Sequence, residues 1–410
     1  MRKFVDINSL VLISIRADHF HGHDPLLSSN SKYVKPSRIQ RRRTIPSNDV
    51  GGVENISLQY AGNGCRSPME VGLYICGLLE DYRRTGYKLY LKDANELAGW
   101  LLASRCDIDK WGCGCWGHPF DLLINSRRVS ADSPNVSTTS FVGRVLHELG
   151  VLTKNKLMIS VALESARFIY NHLYTEKDGR GFYAFAPGES DFIHNESLAG
   201  AAWCAFVGSQ LGDEAMKVQA LDVARQSARA QAVNGSWGYG ERHQRSVMGI
   251  HLGSNLEALC RLRSALGTNE FDIIIDNGLS YYRKHLFTKK GLAKHCNDKL
   301  YPVHMQSVAQ AIFTLLRGRR AADVKLCDRV VAAVTDLLYQ PENRKFAYQK
   351  HRWTINRNTR AGWTQAWAYA SLAGYNRYRM EVEKSNNVIR NARDGRQATE
   401  SGMLNYYSHY

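Results

Sequence analysis

The sequence predicts an all-α protein: an (α/α)6 toroid of six helical hairpins, entered through an irregular N-terminal arm. Three observations predict it. Apolar residues recur at three- and four-residue steps through most of the chain after Pro68, and no convincing alternating strand interrupts them. The helical stretches also come in two alternating kinds. One is apolar nearly all round, as in "SLAGAAWCAFVGSQL" (197–211), "GSNLEALCRL" (253–262), "SVAQAIFTLL" (307–316) and "TQAWAYASLAGY" (364–375). The other carries a charged face, as in "EAMKVQALDVARQSARAQ" (214–231) and "ADVKLCDRVVAAVTDLLY" (322–339). A helix with no wet face must be surrounded by protein, so six inner helices wrapped by six amphipathic outer ones fit the alternation. Last, the loops that lead from an outer to an inner helix place Phe182, Trp237, Leu292 and Phe346 at intervals of about 55 residues, the period of stacked helical hairpins.

In chain order, residues 1–66 form a basic arm, 67–392 the toroid and 393–410 a tail. The arm includes "PSRIQRRRTIPSNDVGG", rich in Pro, Ser and Gly and carrying Arg41, Arg42 and Arg43, which reads as irregular chain. Helix pairs are expected at about 68–86 and 90–105, 134–150 and 154–174, 195–212 and 214–232, 250–266 and 270–286, 303–317 and 322–340, and 362–378 and 380–392. Gly212–Asp213 and Gly267–Asn269 are short hairpin turns, in which Gly ends one helix and a polar residue caps the next. Trp237, inside "NGSWGYGERHQ" (234–244), belongs to the repeat and reads first as a plug between hairpins; Glu241 and His243 lie beyond the repeated core.

Lys plus Arg number 54 against 38 Asp plus Glu, a formal net charge of +16. This excess serves solubility or a polyanionic partner such as an acidic glycan, a lipid-linked precursor or an anionic membrane face reached by the arm. Nucleic-acid binding has only the charge behind it and is not expected. The nine cysteines show no paired framework, and Cys106, Cys113 and Cys115 lack the second pair of a zinc site. Neither a metal nor a cofactor is therefore implied, and free thiols in a reducing cytoplasm are the expectation. The first residues lack a signal-peptide core, and no stretch reaches the length of a membrane span. A cytoplasmic protein, with peripheral membrane contact open to it, is the resulting reading.

In a toroid the inner helices run parallel, so their N-termini open onto one face. Free N–H groups and partial positive charge there suit anionic or hydroxyl-rich ligands. Polar residues gather at those ends: His194, Asn195 and Glu196; His251 and Asn255, one turn apart; Tyr301, His304, Gln306 and Gln310; Trp363, Gln365 and Trp367. The first long loop adds Trp116, His118 and Asp121, and "PNVSTTSFVG" adds Asn135, Ser137 and Thr138. Aromatic faces that stack on pyranose rings, with amides for hydroxyls, are the composition of a sugar site. Trp116, His118, Asn195, Glu196, Tyr239, Glu241, His243, Asn255, Tyr301, Gln306, Trp363 and Gln365 are thus candidate substrate contacts. Several have plainer roles open to them: Asn195, Ser197 and Ser137 suit helix caps, and Gln310 and Gln365 suit bridges between inner helices. Paired carboxylates (Asp121, Glu196, Glu241, Asp298) would suit glycoside hydrolysis, and histidine with tyrosine would suit proton abstraction in a lyase or epimerase.

The ordered segments also resemble a known family. "FHGHDPLLSS" (20–29), "SPMEVGLYICGLLEDYRRTG" (67–86), "CWGHPFDL" (115–122), "PNVSTTSFVGRVL" (134–146), "NESLAGAAW" (195–203), "NGSWGYGE" (234–241), "HLGSNLEAL" (251–259), "DKLYPVHMQSVAQAI" (298–312) and "GWTQAWAYASL" (362–372) are similar, in this order, to motifs of bacterial exopolysaccharide-biosynthesis proteins of the VpsJ type. Those proteins carry prenyltransferase/squalene-cyclase-like helical repeats. The resemblance implies a helical toroid and a role in making or modifying surface polysaccharide, and brings no catalytic assignment. It departs from the family at His118, usually Tyr, at Leu122 and Leu123, usually Trp-Gln, at Met248, Gly249 and Ile250, where an acid precedes an aromatic, and at His304, often acidic. These departures leave Asp121, His251, His304 and Asp298 as the catalytic candidates. Terpenoid cyclisation is disfavoured, because neither DDxxD nor DxDD occurs. Two readings remain: a hydrolase, lyase or epimerase acting on a glycan, and a non-catalytic glycan-binding or scaffold protein of a polysaccharide assembly complex.

Overall fold

A computed structural model describes residues 66–124, 127–240, 246–318, 320–358 and 361–393. The basic arm and its arginines lie outside them. Eleven long helices occur among the described residues: α1 (Pro68–Thr85), α2 (Leu89–Ala103), α3 (Val136–Thr153), α4 (Lys156–Phe168), α5 (His194–Leu211), α6 (Glu214–Ala228), α7 (Gly249–Leu266), α8 (Asp272–His285), α9 (Met305–Gly318), α10 (Ala321–Leu338) and α11 (Ala366–Arg393). The odd-numbered helices pack side by side in the order α1, α3, α5, α7, α9, α11, and α11 packs back on α1 to close the ring. The even-numbered ones lie outside it, each on its own hairpin partner or the next. This is the (α/α)6 toroid.

The two kinds of helix follow from where their side chains go. Inner α5 buries Leu198, Ala201, Ala202, Cys204, Ala205 and Val207, which point in every direction around its axis. Outer α6 buries Met216, Ala220, Val223, Ala224 and Ser227, one stripe at the helical period, and leaves Val218 exposed on the other side.

Inner-to-outer turns are tight and occupy one face. Gly86, Gly212 and Gly267 end α1, α5 and α7 in the left-handed conformation, at φ of 73°, 67° and 62°. Lys154 ends α3 in the same conformation, at φ 57°. A side chain pays for that backbone geometry, so Lys154→Gly is expected to stabilise the protein by about 1 kcal/mol, read as a raised midpoint in urea.

The outer-to-inner connections are long and occupy the other face. Within them Phe182, Trp237 and Phe346 are fully buried, whereas Leu292 is half-buried, so the repeated position is a plug between hairpins. Trp237→Ala is expected to cost about 3–5 kcal/mol, as for other large-to-small changes in a packed core, measured by chemical denaturation.

Two features differ from the sequence expectation. Short antiparallel pairs form the rims of these loops: Leu122–Ile124 with Arg127–Val129, Tyr174–Lys177 with Arg180–Tyr183, and Tyr339–Gln340 with Lys345–Phe346. Strands of two to four residues are too short for alternation to register. The helix expected over 380–392 is not a separate outer one, because α11 continues through that stretch to Arg393. The run "RMEVEKSNNVIRNAR" contains neither Gly nor Pro to break it.

Candidate active site

Four of the long loops are stitched by backbone bonds to the start of the inner helix of the preceding hairpin. The first N–H groups of α3, α5, α7 and α9 donate to loop carbonyls: Val136 to Phe185 (2.9 Å), His194 to Tyr239 (3.1 Å), Gly249 to His295 (3.2 Å) and Met305 to Tyr348 (3.4 Å). These N–H groups have no partner within their own helices, so the loops satisfy them. The stitching ties Tyr239 to the start of α5 and His295 to the start of α7, and the Tyr239 ring reaches across to α7.

Three imidazoles and a phenol meet there. His251, in the first turn of α7, packs against Tyr239 with ring centroids 4.4 Å apart. His295 meets His304 edge to face at 5.6 Å. Burial, helped by the neighbouring His295, pushes the pKa of both His251 and His304 down to about 3. Both are therefore neutral at pH 7.

Their hydrogen bonds differ. His304 caps α9: its Nδ1 accepts the Ser307 N–H at 3.3 Å, which leaves the ring proton on Nε2, 3.0 Å from the Ser307 hydroxyl. His251 makes no hydrogen bond among the described residues. One imidazole is thus oriented as a donor, and the other keeps its nitrogens open.

A second polar group adjoins the first. The Ser137 hydroxyl donates to the Glu196 carboxylate, and Asn195 Nδ2 donates to it at 2.9 Å. Burial raises the Glu196 pKa. Burial also raises that of Tyr239, with Glu196 and Asp191 adding to it, which places Glu196 within electrostatic reach of the phenol that touches His251. Asn195 and Ser197 do not cap α5, whose N-cap is Ile193. Ser197 instead accepts the Tyr183 N–H at 3.1 Å, and Asn135 is the residue that caps α3.

Aromatic rings gather at the start of α11. Trp363 and Trp367 stand 6.0 Å apart, Trp367 meets Phe313 at 6.2 Å, and Trp363 Nε1 donates to Gln306 at 3.3 Å. Several buried polar atoms lack partners among the described residues: Asn195 Oδ1, both amide atoms of Asn255, Trp367 Nε1 and His118 Nδ1. Such atoms cost free energy unless something hydrogen-bonds them, which a hydroxyl-rich ligand can do.

Other candidates are placed elsewhere. Trp116 is fully buried; its Nε1 donates to the Leu101 carbonyl at 2.8 Å and its backbone is tied to Thr139, so it offers no ring face to a sugar. Both ends of the Gln365 amide bind the Phe346 backbone, at 2.9 and 2.8 Å, clamping a loop. Asp121 sits at the rim, where it accepts the Ala131 N–H at 2.8 Å and pairs with Arg128. Asp298 is exposed and accepts the Ser246 hydroxyl at 2.8 Å. Neither carboxylate joins the histidines. His118 leans on Phe120 at 5.2 Å, and burial takes its pKa down to about 4. Tyr301 is half-buried in the loop before α9. Glu241 and His243 lie outside the described residues.

His295 was not among the sequence candidates. It lies three residues beyond the repeated position of Leu292, and that offset is the signal that could have found it. Among the described residues no three of His, Cys, Asp and Glu are set to hold a metal, and no helix is long and apolar enough to cross a membrane.

No family model and no curated protein matches the chain. Solved structures do. Cellobiose 2-epimerase from Bacillus thermoamylovorans B4167 superimposes with a TM-score of 0.61 at 12% identity, over 75% of this chain and 87% of that one. An unsaturated glucuronyl hydrolase specific for heparin gives a TM-score of 0.57 at 12% identity, over 81% and 95%. A possible GH105 member from Salmonella enterica serovar Paratyphi A gives 0.58 at 13% identity, over 92% and 95%. At these identities the likeness is one of fold: the chain shares the toroid of proteins that act on sugars.

Proposed function

We propose that the protein is a carbohydrate-active enzyme that moves a proton at a sugar carbon beside a carbonyl or carboxyl group, as an epimerase or lyase does. The observation that carries this reading is a buried neutral histidine with open nitrogens, His251, packed on Tyr239, with a second buried neutral histidine, His304, held by Ser307 and sharing the neighbour His295. His251 accepts the carbon-bound proton. His304, through Nε2, or Tyr239 returns one. Trp363 and Trp367 stack on the sugar ring, and Asn195, Asn255 and Gln306 receive hydroxyls. Two-carboxylate hydrolysis has less support, since Asp121 and Asp298 are each occupied away from the histidines.

The substrate we infer is a bacterial exopolysaccharide or an oligosaccharide from it, acidic or lipid-linked forms included; the motif resemblance supports that context. The solved structures of similar fold include a protein titled as a cellobiose epimerase and one titled as a glucuronyl hydrolase. The test is incubation with a panel of neutral and acidic glycans, with product mass and NMR. An unsaturated product or an epimer of unchanged mass supports the proposal. A new reducing end means hydrolysis, and binding without conversion across the panel means a glycan-binding protein of an assembly complex.

A further inference from the structure

The loop before α11 forms a hairpin that the proposed chemistry does not use. Gln349–Lys350 pairs with Ile355–Asn356, and the His351 N–H closes the turn by donating to the Thr354 carbonyl at 2.8 Å. The hairpin is tied to the histidine that caps α9. Its first strand also pairs with Val303–His304, with His304 opposite Gln349 and Val303 opposite Lys350, and the Met305 N–H donates to the Tyr348 carbonyl at 3.4 Å. That pairing is antiparallel, so the hairpin leads away from α9 and back along the loop that holds Tyr301. Arg352 stands three residues beyond the partner of His304, about 10 Å along the strand.

The tip presents an indole to water. Trp353 is 81% exposed, whereas the chain's other tryptophans are buried or half-buried. The Arg352 guanidinium lies over its ring, 4.8 Å from the centroid. The base of the hairpin is held: the Tyr348 N–H donates to the Asn358 carbonyl at 3.0 Å, and the Asn358 N–H donates to Asn356 Oδ1 at 3.1 Å.

The surrounding charge has one sign. Between Glu342 and Glu381 the sequence has no acidic residue, and Arg344, Lys345, Lys350, Arg352, Arg357 and Arg360 fall in the first half of that span. Among the described residues Lys350, Arg352 and Arg357 form no ion pair. A basic run serves solubility by itself, but solubility gives no reason to hold an indole in water. An aromatic face ringed by cations suits a ring that carries a negative charge: the pyranose of a uronate stacks on the indole while its carboxylate meets a guanidinium or ammonium group. Nucleic acids and anionic lipid surfaces pair stacking or apolar groups with phosphate in a similar way. The tie to His304 favours a glycan, because a chain with one sugar at the histidines has further sugars to place along the same rim.

We propose that the hairpin tip, with Trp353 as the platform and Arg352, Lys350 and Arg357 as anion partners, binds acidic residues of an extended glycan beyond the sugar held at His251. The proposal rests on the reading of the histidine pocket as a sugar site. It commits the substrate to a uronate-bearing chain of several residues rather than a neutral disaccharide, and it gives part of the +16 formal charge a defined address.

The test is calorimetric titration of the full chain at low ionic strength with hexamers and dimers of galacturonate and of mannuronate, and with cellohexaose as the neutral control. An acidic hexamer is expected to bind more tightly than its dimer and than cellohexaose, and to weaken as salt is added. Trp353→Ala should weaken hexamer binding about tenfold, the scale of one lost stacking contact, and Arg352→Gln should weaken it several-fold. Both should leave dimer binding and the melting midpoint unchanged, since the two side chains are exposed. Arg225→Gln, on the outer face, should change nothing. Hexamer binding that depends on the tip supports the proposal even where no proton exchange is seen, an outcome that would remove only the reading of the histidines. Exchange on disaccharides together with hexamer binding indifferent to both tip substitutions overturns the proposal and leaves that reading standing. It is also overturned when no acidic hexamer binds, or when Trp353→Ala abolishes binding to phosphatidylglycerol vesicles or a single-stranded oligonucleotide and leaves hexamer binding intact.

Discussion

Lowering the pH from 7 to 5 is expected to destabilise the protein steeply. His194, His251 and His304 are buried, and burial holds their pKa values at about 4, 3 and 3. In the unfolded chain each titrates near 6.5. Between those values the unfolded state binds protons that the folded state refuses, so stability falls as pH drops through 6.5 toward 3. At pH 5 the loss is at most about 2 kcal/mol per histidine. Glu70 works the other way. Burial raises its pKa to about 8, so the penalty of its buried carboxyl, present at pH 7, is relieved on acidification. It offsets roughly one histidine, and the sum still favours unfolding. Thermal melts across this range should show a falling midpoint, and His194→Gln should flatten the curve. A midpoint indifferent to pH would mean that the histidines are hydrated and titrate normally.

The second large effect is catalytic. On a glycan that the protein converts, His251→Ala is expected to lower kcat by about 10²–10⁴-fold, the range for removal of a general base. Glycan affinity and the melting midpoint at pH 8 should change little, because the ring makes no hydrogen bond that holds the fold. Asp121→Asn should leave kcat near that of the unaltered protein, since its carboxylate is spent on Arg128 and the Ala131 N–H at the rim. Loss of turnover at Asp121 with none at His251 would move the chemistry to the rim.

The fold was legible because its signals are local. An all-apolar helix next to an amphipathic one shows in a window of eighteen residues, and a plug such as Trp237 or Phe346 recurs with each hairpin. The partners within the site are not local. His295 reaches His304 because its carbonyl takes the first N–H of α7, a bond between loop and helix that no spacing rule encodes. The same blindness affected Trp116 and Gln365. An indole in a polar loop and an amide at a helix start look like ligand contacts, yet Leu101 and the Phe346 backbone take their hydrogen-bonding groups. Carboxylates were overrated for a related reason: Asp121 and Asp298 fall on the correct face, but a face is wider than a site.

The proposed proton transfer at a sugar carbon by His251 has a direct test. The protein is incubated in deuterated water with reducing disaccharides and with uronate-containing oligosaccharides, and the sugars are followed by proton NMR and mass. The account predicts that one carbon-bound hydrogen, next to the carbonyl or carboxyl group, is replaced by solvent deuterium or lost with formation of a double bond, and that His251→Ala stops it. Hydrolysis without such exchange, or binding with neither, would contradict it.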